Sequence, residues 1–181
     1  MPKRAWPEDR PGRSTGALRP VRGLFHVVHL NRSVPPAATA NAALFVDANV
    51  FMYLAGSDPV LRTRCREALR AADEQEMALV TSAEVSQEIL HRYSALDRPD
   101  DARVVYDSVT AICSDIVPIT ERETARALEL LLRHSRLPAR DALHAATMET
   151  NGIHRILSAD RHFDRLEAVE RVDPADLARP A

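Results

Sequence analysis

Four acidic residues, widely separated along the chain, have the types and positions best suited to catalysis. Asp47 and Asp160 each end a short apolar run that is typical of a β-strand. Glu88 follows a third such run, residues 77–81, by one or two helical turns, and Asp141 opens a helix-like segment. In an open α/β sheet the carboxyl ends of the strands share one edge, and sites form there. We therefore expect these four carboxylates to meet at one edge of a sheet.

The chemistry of such a cluster follows from its charge. Carboxylates brought close together repel one another unless a divalent cation neutralises them, and ligation by oxygen alone suits Mg²⁺ or Mn²⁺. Cations held in this way bind a scissile phosphate, activate water and stabilise the leaving oxygen. The four acids therefore predict a metal-dependent enzyme that acts on phosphodiesters.

Each acid also has a purely structural interpretation. An Asp at the end of a strand commonly caps the next helix, and an acid in a first helical turn is favoured by the helix dipole. The second explanation fits Glu84 better than Glu88, because Glu88 lies deeper in its helix beside apolar residues. We therefore assign catalysis to Asp47, Glu88, Asp141 and Asp160.

Polar neighbours of these acids have supporting roles in this interpretation. We expect Asn49 to hydrogen-bond Asp47 or the ligand, and Ser158 to hydrogen-bond a site carboxylate, because such contacts orient metal ligands. Asp164, one turn beyond Asp160, is predicted to be an auxiliary acid. His144 follows Asp141 by one turn, but a lone histidine in a mixed helix more commonly packs or hydrogen-bonds than ligates a metal.

Strand-like and helix-like segments alternate from residue 41 onward. The predicted strands are residues 43–46, 78–81, 115–119 and 156–158, with 169–172 as an edge strand. Helices are predicted between them, and the last of these spans residues 139–150. This alternation indicates βαβ units, an α/β class and a mainly parallel sheet of four to five strands.

Composition favours one ordinary domain over residues 41–181. The chain has 181 residues, of which 45% are hydrophobic, and no apolar run approaches the roughly 20 residues of a membrane span. The two cysteines, Cys65 and Cys113, match no metal-binding spacing. Two isolated thiols fit a reducing cytoplasm better than a disulfide framework, so we expect a cytoplasmic protein.

Residues 1–40 differ from the rest of the chain. They carry seven Lys and Arg against two acids, and they hold six of the twelve prolines. Such a basic, Pro-rich segment buries too little apolar surface to offset its ordering entropy, so we expect a disordered extension. An artefact of an upstream start codon is the favoured origin, a basic arm that touches nucleic acid is the second, and a cleaved targeting peptide is the least favoured.

Four segments together carry a family resemblance. They are Leu44-Phe45-Val46-Asp47-Ala48-Asn49, Val85-Ser86-Gln87-Glu88-Ile89-Leu90-His91-Arg92-Tyr93, Ala139-Arg140-Asp141-Ala142-Leu143-His144-Ala145-Ala146 and Leu157-Ser158-Ala159-Asp160-Arg161-His162-Phe163-Asp164. In order and spacing they resemble the PIN domain, and within it the VapC-type toxin ribonucleases of prokaryotic toxin–antitoxin pairs. The resemblance covers roughly residues 43–174.

The resemblance implies a three-layer α/β/α fold and a Mg²⁺- or Mn²⁺-dependent endoribonuclease. Asp47 and Asp141 would contact the metal, while Glu88 and Asp160 would hold the metal or its waters, and one of them would relay a proton. It also implies a homodimer and a groove for a cognate antitoxin. We expect the apolar surface for these partners on the helices around residues 60–73, 83–96 and 104–112.

An acidic site repels RNA, so basic residues must surround it. Arg140 beside Asp141 and Arg161 beside Asp160 are the main candidates for phosphate contacts. Further basic residues near the two acids are Arg133, His134, Arg136, His162 and Arg165. Solvated helix ends explain these side chains equally well.

Other classes of protein fit less well. A phosphatase of the haloacid-dehalogenase type needs a second Asp two residues after the first, where this chain has Asn49, and a response-regulator receiver needs a late lysine, whereas Lys3 is the only lysine. Two alternatives stay open: a PIN nuclease of RNA processing that is not a toxin, and a catalytically silent interaction module whose acids are helix caps.

Overall fold

The computed structural model describes residues 43–177, so the expectations for residues 1–40 lie outside the described residues. The strands are β1 Ala43–Val46, β2 Ala78–Ser82, β3 Asp115–Val117, β4 Arg155–Leu157 and β5 Glu170–Val172. The helices are α1 Ala48–Ala55, α2 Pro59–Glu74, α3 Ala83–Ala95, α4 Pro99–Ile112, α5 Glu121–Arg133, α6 Ala139–Thr150 and α7 Pro174–Leu177. A 3-10 helix spans Arg161–Arg165.

The five strands form one sheet in the order β3-β2-β1-β4-β5. Every neighbouring pair is parallel, which confirms the predicted α/β class. Phe45 in the middle of β1 is in register with Val80 of β2 on one side and Ile156 of β4 on the other. The chain therefore extends the sheet outward from β1 to β3 and then crosses back to β4, and all the carboxyl ends lie along one edge.

Strand β1 is the centre of the core. Leu44, Phe45 and Val46 are fully buried, as expected for a parallel strand covered by helices on both faces. The Thr81 hydroxyl donates a hydrogen bond of 2.8 Å to the Val46 carbonyl and ties the end of β1 to β2. Asp47, the residue that follows β1, is therefore attached to a rigid position in the middle of the sheet.

Local sequence signals set the helix ends. Thr120 and Glu123 form a capping box at the start of α5, and Ser82 caps α3 by accepting a hydrogen bond from the Val85 amide. Helix α6 buries Ala142, Ala145 and Ala146 completely. Such small side chains let a helix pack closely against the sheet, and this packing places the first turn of α6 beside the carboxyl edge of the sheet.

Two segments differ from the sequence-based expectation. Strand β3 ends at Val117 rather than at residue 119, and the 3-10 helix after β4 was not predicted. The Asp160 carboxylate starts that helix by accepting a hydrogen bond of 2.9 Å from the His162 amide.

Within residues 43–177, none of the helices is both long and apolar enough to cross a membrane.

Candidate active site

The four predicted acids line a single cleft at the carboxyl edge of the sheet. Asp47 follows β1, Asp160 follows β4, Glu88 lies on the second turn of α3, and Asp141 lies on the first turn of α6. All four contribute to the wall of this cleft, whose volume is about 980 Å³. Strands β1 and β4 are neighbours, and the strand order reverses between them, because β2 and β3 lie on one side of β1 and β4 and β5 lie on the other. Ligand sites form at such topological switch points.

Asp47 is held by side chains rather than used as a cap. The Ser158 hydroxyl donates a hydrogen bond of 2.6 Å to Asp47 Oδ2, and the Asn49 amide donates to the same oxygen. Asn49 also donates to Ser158 Oγ at 2.9 Å, and the Ala159 amide donates to Asn49 Oδ1. Although Asp47 stands at the N-cap position of α1, its side chain makes no capping hydrogen bond, so the capping explanation does not account for it.

Burial makes two of the carboxylates, those of Asp47 and Asp141, costly to ionise. It raises the pKa of Asp47, and the Ser158 hydrogen bond and His144 oppose this rise only in part. Burial, followed by repulsion from Asp160 and Asp47, raises the pKa of Asp141 to about 6. Like charges in a partly dry cleft favour protonation unless a cation compensates them, so the electrostatics of the cleft suit a bound divalent ion.

Two histidines join the acids, and the sequence reasoning did not place either of them among the ligands. Asp47, Glu88 and His144 form one group of possible ligand atoms, and Asp141, Asp160 and His162 form another; within each group the atoms lie within 4.8 Å of one another. His162 Nδ1 is 3.2 Å from both Asp141 Oδ2 and Asp160 Oδ1. The donor set therefore fits a divalent metal, and it offers two imidazole rings beside the expected carboxylate oxygens.

Glu88 pairs with Arg140, the residue predicted to contact RNA. Arg140 Nη1 donates a hydrogen bond of 2.7 Å to Glu88 Oε1, while its Nε lies 3.9 Å from Glu84 Oε1. Burial alone would raise the pKa of Glu88, but His144 and Arg140 outweigh it and lower the pKa. The Glu88 side chain is 8% exposed and that of Glu84 is 22% exposed, so Glu88 is the deeper of the two.

Asp164 is the one predicted acid that the structure does not bring to the cleft. Its carboxylate pairs with Arg171 instead, with Oδ1 at 2.6 Å from Arg171 Nε. Arg171 belongs to β5, and Asp164 is absent from the residues that line the cleft. The structure therefore places Asp164 in an ion pair with Arg171 rather than among the acids that line the cleft.

A basic surface adjoins the acidic cleft. Arg161 is exposed at the rim, and a neighbouring depression of about 360 Å³ shares Pro138, His162 and Arg165 with the cleft. The other basic residues that line this depression are Arg133, His134 and Arg136. The site thus combines a cluster of acids that could hold a metal ion with a basic surface beside it.

Comparison with known proteins identifies the family. The PIN domain matches residues 44–169. The chain belongs to the PIN domain family. Ribonuclease VapC13 of Mycobacterium tuberculosis is 36% identical over 129 residues, which are 71% of this chain and 98% of that protein. Ribonuclease VapC23 of the same species is 40% identical over 117 residues, 65% of this chain and 92% of that protein. Within the PIN domain family, the chain is thus a member of the VapC ribonucleases.

Solved structures share the fold at low sequence identity. VapBC2 from Rickettsia felis, bound to a DNA fragment from its promoter, has a TM-score of 0.56 and 13% identity, covering 72% of this chain and 97% of that chain. FitAcB from Neisseria gonorrhoeae has a TM-score of 0.53 and 18% identity over the same shares. The predicted PIN-like architecture is therefore confirmed.

Proposed function

We propose that this VapC-family protein is a metal-dependent endoribonuclease and the toxin of a toxin–antitoxin pair. The observation that carries the proposal is the convergence of Asp47, Glu88, Asp141 and Asp160 in one cleft beside a basic surface. Acids that served only as caps would not need to converge, and Asp47 caps nothing. The named relatives are ribonucleases, and RNA is the substrate class that their names give.

The cleft residues would have different roles in phosphodiester hydrolysis. Asp47 and Asp141 would hold Mg²⁺ or Mn²⁺, and such an ion supplies a polarised phosphate and an activated water. Ser158 and Asn49 fix the orientation of Asp47 by hydrogen bonds, as supporting residues do around metal ligands. Glu88 and Asp160 would hold the metal or its waters, and one of them would accept a proton.

The basic surface would position the RNA backbone. Arg161 and Arg165 lie at the rim of the cleft, where cationic side chains contact phosphates without reading the sequence. Arg140 donates to Glu88 through Nη1, and its remaining N–H donors would be available to a phosphate. Arg161 and Arg165 are the further candidates at the rim.

Asp47→Asn tests the catalytic assignment. We expect it to abolish cleavage of RNA in Mg²⁺ or Mn²⁺ while the circular dichroism spectrum stays that of the parent. Because the substitution removes a buried carboxylate that burial disfavours, the metal-free variant should melt at the same or a higher temperature. The control is Asp164→Asn, which changes an acid outside the cleft and should retain cleavage. Full activity of Asp47→Asn, or activity that persists in EDTA, would contradict the proposal.

The proposed partners are a cognate antitoxin and a second copy of the chain. One structural relative is a toxin–antitoxin complex from Klebsiella pneumoniae, and an antitoxin that inserted an Arg among the unneutralised carboxylates would compete with the metal through bidentate pairs. We expect a small inhibitory protein to co-purify from the native host. Recovery of RNA alone, with cleavage intact, would favour a PIN nuclease of RNA processing instead.

A further inference from the structure

His144 is a buried polar side chain whose hydrogen bonding is incomplete. Its relative exposure is 1%, and neither ring nitrogen has a hydrogen-bond partner among the described residues. Burying a polar group without a partner is costly, and groups of this kind in native structures require an explanation. The ring packs against Phe45 with its centroid 5.7 Å away, which accounts for one face of the imidazole but not for its nitrogens.

The distances around His144 are those of ligands that share an ion. Nε2 lies 3.7 Å from Glu88 Oε2, which is too long for a hydrogen bond. Two atoms that each bind one cation at about 2.1 Å lie roughly 3–4 Å apart. Asp47 supplies the third atom of this group, and all three possible ligand atoms lie within 4.8 Å of one another.

We propose that His144 is a nitrogen ligand of the bound cation, so that the site favours a first-row transition-metal ion over Mg²⁺. Imidazole nitrogen suits Zn²⁺, Fe²⁺, Ni²⁺ and Cu²⁺, whereas Mg²⁺ takes oxygen ligands in octahedral geometry. Mn²⁺ is usually bound by oxygen, but as a transition-metal ion it accepts an imidazole ligand more readily than Mg²⁺ does. The inference deepens the proposed metal-dependent function and rests on it. It gives His144 a direct role in selecting the metal. The four acids alone would not discriminate between Mg²⁺ and Mn²⁺.

Electron spin echo spectroscopy of the full chain loaded with Mn²⁺ tests this assignment directly, because a coordinated imidazole imposes ¹⁴N modulation on the manganese signal. We expect the modulation in the parent protein and its loss in His144→Gln. It should persist in His162→Gln, which alters the neighbouring group, and in the control His154→Gln, which alters an exposed histidine outside the cleft. Calorimetry should show that the preference for Mn²⁺ over Mg²⁺ falls about ten-fold or more in His144→Gln alone.

The outcomes separate this inference from the function on which it rests. The role of His144 would be overturned if Mn²⁺ bound without nitrogen modulation, or if the modulation were lost only in His162→Gln. Either result would leave metal-dependent cleavage intact. A parent protein that binds no Mn²⁺ would overturn both. If His144→Gln does not fold, modulation that persists in both His162→Gln and His154→Gln still supports His144 as the ligand.

Discussion

At the scale of single residues, Glu88 is set apart by its contacts with helix α6. Arg140 donates to one of its oxygens, and His144 lies 3.7 Å from the other. Glu84, four residues earlier on α3, shares only the longer contact with Arg140. Glu88 therefore links α3 to the acidic cleft, whereas Glu84 stays at its margin.

Glu88→Gln and Glu84→Gln form a matched pair that tests this difference. We expect Glu88→Gln to lower the rate of RNA cleavage by about 10²–10⁴-fold, as is usual when a group that moves a proton is lost. Glu84→Gln should leave cleavage intact and change the free energy of unfolding by no more than the first-turn dipole effect of about 0.3–1 kcal/mol. Single-turnover cleavage and urea unfolding measure the two quantities. The reverse ranking would move the site one turn toward the start of α3.

Asp141 predicts a pH dependence for the metal-free protein. Its pKa is raised to about 6, above the value of about 3.9 in an unfolded chain, so between these values the folded state binds a proton that the unfolded state does not. Stability in EDTA should therefore fall as the pH rises from about 4 to about 6. Asp141→Asn should remove this contribution, which urea unfolding across that range would measure. An unchanged slope in the variant would assign the effect to another group.

Much of the site could be predicted at this scale, and the reason for the remainder is geometric. Strand-end position and residue type sufficed to select Asp47 and Asp160, and proximity to them indicated Asn49 and Ser158. Distances across the fold did not follow from spacing along the chain. The pairing of Arg140 with Glu88, 52 positions apart, and the burial of His144 depend on how closely α6 approaches α3.

At the scale of elements, helix α6 holds both Asp141 and His144 and ends in a left-handed turn. Gly152 follows the helix with a φ of +68°, and the Ile153 amide then donates to the Met148 carbonyl at 2.9 Å. Glycine adopts this conformation without the strain that a Cβ introduces. The turn connects α6 to β4, and Asp160 follows β4 directly. The conformation of the turn therefore helps to set the distance between α6 and Asp160.

Gly152→Ala tests the strain in this turn. Because no atom lies within 4 Å of an added Cβ, the cost should come from the backbone alone and reach about 1–2 kcal/mol of unfolding free energy. Gly152→Asn is the matched comparison and should cost less, since Asn tolerates the left-handed region. Thermal or urea unfolding measures both. Equal stability of all three proteins would show that the turn relaxes to another conformation.

Elements with strong local signals were predicted well, and weak ones were not. Helix α6 begins and ends where the sequence places it, because Pro138 and the Asn151-Gly152 pair bound it. Strand β3 is shorter than predicted because only residues 115–117 find partners on β2. The 3-10 helix escaped prediction since its five residues, Arg161–Arg165, are too few for a periodic pattern.

At the scale of the whole molecule, the exposed large apolar residues lie partly on the expected surface and partly on α5. Val60 on α2, Leu90 on α3 and Tyr106 on α4 belong to the expected surface. Helices α3 and α4 bury most of their apolar side chains, including Ile89, Val105 and Val109, and leave Leu90 as the main exposed apolar residue on α3. The most exposed large apolar residues lie on α5, where Leu132 is 79% exposed and Leu128, one turn earlier, is 58% exposed. Such neighbouring pairs mark interfaces more often than single residues do.

We expect the chain to be a homodimer that uses this ridge on α5. The double substitution Leu128→Glu and Leu132→Glu should convert the dimer to a monomer at micromolar concentration, as measured by sedimentation velocity. Leu90→Glu, on another helix, is the control and should leave the dimer intact. Dissociation by Leu90→Glu alone would return the interface to the surface expected from the sequence, and a monomeric parent protein would remove the dimer altogether.

The parallel sheet also fixes how the molecule can be tethered. Strand β1 begins at Ala43 and runs for four residues to the acidic edge, a distance of roughly 13 Å at about 3.3 Å per residue. Ala43 therefore lies at the edge of the sheet opposite the cleft. A sensor chip or bead attached at Ala43 itself would lie opposite the acidic opening, which stays free for RNA or an inhibitor to approach.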